Sequence, residues 1–133
     1  HRDLHTAYRR QRQMCIRDSL KSGVHINGVG SFQPSMQEID SETIKNALVF
    51  VDSRESALSE TGDLTIPIQE GIIGKNHLRA EIGELLENPS LGRNTPDEIT
   101  FFKSCGVAVQ DVVAAGMALE QAKKNNLGRI IRM

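Results

Sequence analysis

The sequence has few cysteines, no long apolar run and no excess of either charge. Two cysteines in 133 residues make no disulfide framework and no metal-binding cysteine motif, and they fit a reducing cytoplasm. The formal net charge is −1 at pH 7, so neither a nucleic-acid nor a membrane-surface partner is indicated. No stretch reaches the roughly 18 consecutive apolar residues of a membrane-spanning helix. Internal repeats and low-complexity segments are missing. So is the G-x-G-x-x-G turn that seats a dinucleotide pyrophosphate. What is present is enough chain for one domain with a modest core.

Residues His1–Ser19, HRDLHTAYRRQRQMCIRDS, are basic, poor in aliphatics and without apolar period. A basic arm or a poor targeting peptide is one reading. Back-translation gives a better one. Arg9–Ser19 can be written in codons that resemble a common transposase-based sequencing adaptor, and His1–His5 resembles the flow-cell end of the same oligonucleotide. We therefore expect residues 1–19 not to be native protein, and the native N-terminal part to lie upstream. Setting them aside removes five Arg and two Asp and leaves 11 basic and 15 acidic residues. Cys105 is then the remaining thiol.

From Leu20 onward, apolar runs alternate with helical patterns. His25–Val29 reads as a buried strand. Gly28 and Gly30 then allow a sharp turn and a close ligand approach. A loop with Pro34 leads to a helix that starts at Asp40 or Ser41, either of which suits an N-cap. Leu48–Val51 reads as a parallel strand covered on both faces. Arg54–Glu60 is a helix stopped at Gly62. Asp63–Gly71 contains Pro67 and little period, so we expect a loop with at most one helical turn. Lys75–Leu86 places Leu78, Ile82, Leu85 and Leu86 on one side, the pattern of an amphipathic helix. Asn88-Pro89-Ser90 and Gly92–Pro96 form a surface connection. Ile99–Lys103 is a third strand. Val107–Lys124 is a helix apolar nearly all round, expected to be buried between layers or subunits. Strands alternating with helices argue for an α/β fold on a parallel sheet, and three strands are too few for a whole doubly wound domain.

In such sheets ligands sit beyond the carboxyl ends of the strands. That singles out the turn after the first strand and the Ser104-Cys105-Gly106 turn after the third. Ser104 is placed to cap the long helix. Asn27, on a buried strand, needs partners for its amide; a cofactor-side contact and a structural bond are equally open. Lys103 reads as a surface charge, with a substrate carboxylate as the alternative partner. Cys105 reads as core, His25 as a satisfied structural histidine, and His77 as surface. Glu81 and Glu84 read as a solvated helix face. Asp111 is either buried and hydrogen-bonded or solvent-facing. No grouping of His and Cys has the spacing of a metal site.

Four stretches in order resemble the ornithine cyclodeaminase/mu-crystallin family: HINGVGSFQPSMQEID, VFVDSRESALSETGDL, AEIGELLENPSLGR and DEITFFKSCGVAVQD. Together they cover nearly all of Gly23–Gly128. The resemblance implies a subunit with a dimerising substrate domain and a Rossmann-type NAD(P)-binding domain. Residues 20–128 are then the second half of the Rossmann domain, with the C-terminal helix that returns to the other domain, and 129–133 are a tail. The implied cofactor is NAD(P)(H). The turn after the first strand lines the nicotinamide end of its pocket. Asn27, Val29, Gly30 and Ser104 are the cofactor contacts that the resemblance implies. The full-length protein would be a cytoplasmic homodimer acting on a small amino acid or cyclic imino acid.

Cyclodeaminases of this family carry an acid/base aspartate shortly after the turn. Here that position holds Phe32, which can neither accept nor donate a proton, and the lysine four residues on is Met36. No residue of this chain is therefore assigned as catalytic. Mu-crystallin-like and ketimine-reductase members also lack that aspartate. Reduction needs a hydride delivered to an activated C=N carbon, and the cofactor supplies it. The expected activity is reduction of a ketimine such as pyrroline-2-carboxylate. Ornithine cyclodeaminase, amino-acid dehydrogenase and a non-catalytic NADPH or small-ligand binder are the alternatives. The chain alone is expected to be inactive and, with unpaired sheet edges, marginal or aggregated.

Overall fold

The computed structural model describes residues 20–129 and 131. The adaptor reading of His1–Ser19 and most of the 129–133 tail fall outside those residues. Four parallel strands form one sheet in the order β1-β4-β2-β3. They are β1 (His25–Gly28), β2 (Leu48–Val51), β3 (Leu78–Glu81) and β4 (Thr100–Lys103). The helices are α1 (Ser41–Asn46), α2 (Arg54–Glu60), α3 (Gly62–Gln69), α4 (Ile82–Glu87) and α5 (Ala108–Lys124).

Register divides the side chains between two faces. Ile26 and Gly28 stand beside Phe101 and Lys103, which stand beside Val49 and Val51. Parallel partners share a face, so this row forms one side of the sheet. Ile44 of α1, Ala57 of α2 and Leu64 of α3 join Val49, Val51 and Phe101 in the core, each with no solvent exposure. The opposite face carries His25, Asn27, Phe50, Thr100 and Phe102. There Ile82, Leu85 and Arg93 border an open groove of about 610 Å3.

Local signals explain the helix starts. Asp40 caps α1, its Oδ1 accepting from Thr43 N at 2.9 Å. Ser53 caps α2 and Thr61 caps α3.

Two expectations are corrected, and a third is met in part. Residues 62–69 are a helix, not a loop. Thr61 and Asp63 supply its start, and Pro67 falls near its end, where Pro67 O takes the Ile72 and Ile73 amides. Lys75–Leu86 is not one helix: a 3₁₀ turn at Lys75–His77 runs into β3, and α4 follows. Leu78 and Ala80 are buried while Arg79 is exposed, which is the strand period. The edge of β2 offered pairing that outweighed the helical spacing. Finally, α5 forms as expected but has no buried residue. Val109, Val112, Val113, Met117 and Leu119 are all more than half exposed, because no layer of the described residues packs on them.

Candidate functional site

The carboxyl edge of the sheet brings the two singled-out turns together. β1 and β4 are neighbours, with Gly28 opposite Lys103, and Ser104 N donates to Gly28 O at 3.0 Å. Val29 and Gly30 leave β1 beside Ser104, which leaves β4. Val29 is 69% exposed and Phe32 66%, so the edge presents an apolar rim. Asn27 is elsewhere. Its side chain lies on the groove face and is exposed rather than buried. Its Oδ1 lies 3.2 Å from His25 Nε2, and His25 Nδ1 lies 2.7 Å from Thr100 Oγ1. His25 is thus a satisfied structural histidine, and Asn27 has a structural partner.

Ser104 does not cap α5. The residue preceding that helix is Val107, which makes no side-chain cap. Instead Ser104 Oγ donates to Asp52 Oδ2 at 2.9 Å. The same oxygen accepts from Cys105 N at 2.8 Å and Gly106 N at 3.0 Å. Asp52, at the end of β2, therefore folds the whole 104–106 turn around one carboxylate oxygen. Cys105 packs partly buried against the core. Burial first, and the Asp52 carboxylate second, push its thiol up to about 11, so it is a poor nucleophile at neutral pH.

Lys103 is not a surface charge. It is fully buried, with Nζ 3.5 Å from Asp63 Oδ2 and 3.9 Å from Glu38 Oε2. Asp63 is also fully buried, and its Oδ1 accepts from Glu38 N at 2.6 Å and Ile39 N at 3.0 Å. Glu38 Oε2 accepts from Gly30 N at 2.7 Å and Ser31 N at 3.1 Å. Ser31 Oγ donates to Met36 O and lies 2.7 Å from Thr61 Oγ1. The loop from Val29 to Ile39 is thereby seated on the start of α3. Gly62 has no room for a Cβ, which would overlap the carbonyl oxygens of Met36 and Pro34.

Glu81 and Glu84 are not a free solvated pair. Glu81 Oε1 accepts from Arg54 N at 2.7 Å. Glu84 Oε2 accepts from Glu81 N at 2.7 Å and pairs with Arg54 Nη2 at 2.6 Å. The Glu81 amide first, and Arg54 second, hold the Glu84 carboxyl below its ordinary range. His77 is half-buried, its Nε2 2.8 Å from Ile44 O. Asp111 is solvent-facing. Among the described residues no group of three His, Cys, Asp or Glu is placed to hold a metal, and no helix is long and apolar enough to cross a membrane.

Asp52, Glu38 and Asp63 were missed in the sequence. Asp63 left a trace, since Thr61-Gly62-Asp63 has the residues of a helix start. Glu38 and Asp52 left none, because their partners lie far along the chain.

Comparison with known proteins agrees with this geometry. Delta(1)-pyrroline-2-carboxylate reductase of Bacillus cereus is 47% identical over 113 residues, covering 84% of this chain and 35% of that protein. The solved Thermococcus litoralis enzyme of the same name, in complex with NADH and L-proline, superposes with a TM-score of 0.78 at 39% identity, covering 84% of this chain and 35% of that one. An archaeal alanine dehydrogenase dimer with bound NAD gives a TM-score of 0.73 at 36% identity, covering 86% of this chain and 35% of that one. The chain thus spans about 35% of the length of these relatives. The family model for the ornithine cyclodeaminase/mu-crystallin family matches residues 5–126. With the parallel sheet, the paired turns at its carboxyl edge and this match in hand, the chain belongs to the ornithine cyclodeaminase/mu-crystallin family.

Proposed function

We propose that the protein carrying this chain is an NAD(P)H-dependent reductase of ketimines, with pyrroline-2-carboxylate, reduced to proline, as the leading substrate. The observation that carries this reading is Phe32, two-thirds exposed on the rim where cyclodeaminases of the family place an aspartate. The rim fits the nicotinamide end of a dinucleotide. Val29 and Phe32 offer apolar surface, and the Ser104 hydroxyl, fixed by Asp52, offers a polar contact for a carboxamide. NAD(P)H, when bound, supplies the hydride. The residues here orient and exclude: Ser104 holds one direction at the edge, Val29 and Gly30 shape the floor, and Phe32 keeps water from one side. A proton-transfer group is not among them. The same reading makes the protein a cytoplasmic homodimer, with the exposed apolar side of α5 facing the rest of the assembly.

The test is to assay the purified whole protein for loss of dinucleotide absorbance with pyrroline-2-carboxylate, and for ammonia release from L-ornithine. Turnover in the first assay alone is expected. Ammonia release without imine reduction would replace this reading with cyclodeaminase. Tight dinucleotide binding without turnover in either would make the protein a binder.

A further inference from the structure

The buried Lys103 has no place in the chemistry just described, and its cost demands a reason. Taking an ammonium fully out of water is costly, and a well-packed apolar side chain of similar volume commonly does better. Among the described residues Lys103 Nζ makes no hydrogen bond. It faces two carboxylates instead, Asp63 at 3.5 Å and Glu38 at 3.9 Å. Asp63 has other uses for its charge, since it also takes the Glu38 and Ile39 amides. Glu38 is different. Its side chain is 42% exposed, free to leave for solvent, yet it turns inward over the Gly30 and Ser31 amides. Gly30 accommodates it by having no Cβ, since one would come within 2.9 Å of the Glu38 carboxyl carbon.

We propose that Lys103 is a positioning residue: its buried charge draws the Glu38 carboxylate onto the Gly30 and Ser31 amides, and so fixes the turn that carries Val29 and Phe32 at the rim. Lys103 touches neither substrate nor cofactor. It acts through Glu38, and its backbone also leads directly into Ser104, so the two turns of the site share one anchor. This inference rests on the reductase reading for what the rim does, but the clamp itself is a property of the fold.

Glu38→Gln in the whole protein separates the possibilities, because it keeps size and an acceptor oxygen, drops the charge and lies at a half-open position. Deuterium uptake at the Gly30 and Ser31 amides should rise about tenfold, as expected for a locally released turn. The kcat for pyrroline-2-carboxylate reduction should fall about tenfold while KM for the imine stays within about twofold, the signature of a misplaced reacting partner. The melting temperature should stay within about 2 °C. Lys103→Met, if it folds, should show the same split. Unchanged exchange at those amides overturns the proposal, as does a kcat loss that only follows a fall in melting temperature. A wild-type protein that does not reduce the imine sinks the reductase reading alone, and the exchange rates then decide the clamp.

Discussion

Asp52 Oδ2 and Ser104 Oγ are 2.9 Å apart, joining residues that stand 52 positions apart in the chain. The contact ties the end of β2 to the turn after β4. Because the same oxygen accepts the Cys105 and Gly106 amides, the Ser104 hydroxyl cannot move without the backbone beside it.

Asp52→Ala should therefore destabilise the protein by about 2 kcal/mol, the scale of lost hydrogen bonds to a charged acceptor. Denaturant unfolding of the whole protein measures it. Ser104→Ala removes one of the three bonds and should cost less than half as much. Equal losses for the two variants would show that the carboxylate does not organise the turn.

Gly62 and Gly83 make a contrasting pair. Gly62→Ala drives a Cβ into two backbone carbonyls and should cost about 3 kcal/mol, at the upper end for overpacking. Gly83→Ala, in α4, meets nothing within 4 Å and should stabilise by about 0.5 kcal/mol through helix propensity. Thermal melts of both variants settle the signs.

Much of this was legible in advance, for a physical reason. Leu48–Val51 is apolar throughout because both faces of a central parallel strand are covered, and such a run needs no distant partner to be recognised. Arg54–Glu60 carries its own cap in Ser53. β3 was hidden because Leu78, Ile82 and Leu85 repeat at helical spacing across a strand–helix junction, so a true local pattern belonged to two elements. Lys103 was hidden more deeply. A lysine at a strand end belongs in water unless carboxylates come to it, and both of its partners arrive from loops and helix starts dozens of residues upstream. In the site, the turns were visible and the anions that hold them were not.

Cys105 gives a pH test. Its thiol is raised from 9.0 to about 11 in the folded protein, by burial first and by Asp52 second. The folded state thus holds the proton more tightly than the unfolded state. The resulting stabilisation is complete below pH 9 and is lost as pH rises toward 11. Denaturation midpoints should fall over that window, and Cys105→Ala should flatten the decline. Alkylation at pH 8 should run roughly 100-fold slower than for an unperturbed thiol, from its thiolate fraction.

Phe32→Asp tests the rim. At a position this exposed the melting temperature should change by no more than about 2 °C. On the reductase reading, a carboxylate introduced at the rim would face an anionic imino acid, so imine reduction should fall by at least about tenfold, as a rise in KM. An unaltered KM would place the substrate away from Phe32.

The strand order carries a consequence for how the chain assembles. β1 and β2 are not neighbours, because β4 lies between them and pairs with both. His25 meets Thr100 across 75 residues. During synthesis the first strand has no partner among these four until nearly all of Leu20–Lys103 has emerged. β2 and β3 can pair before β4 emerges, but joining β1 to them is a late step that needs a long loop closure before the β1–β4 ladder repays it. Until that moment the edges of β1 and β2 that β4 will fill stand unpaired, which is when this chain is most exposed to aggregation and to the attention of chaperones.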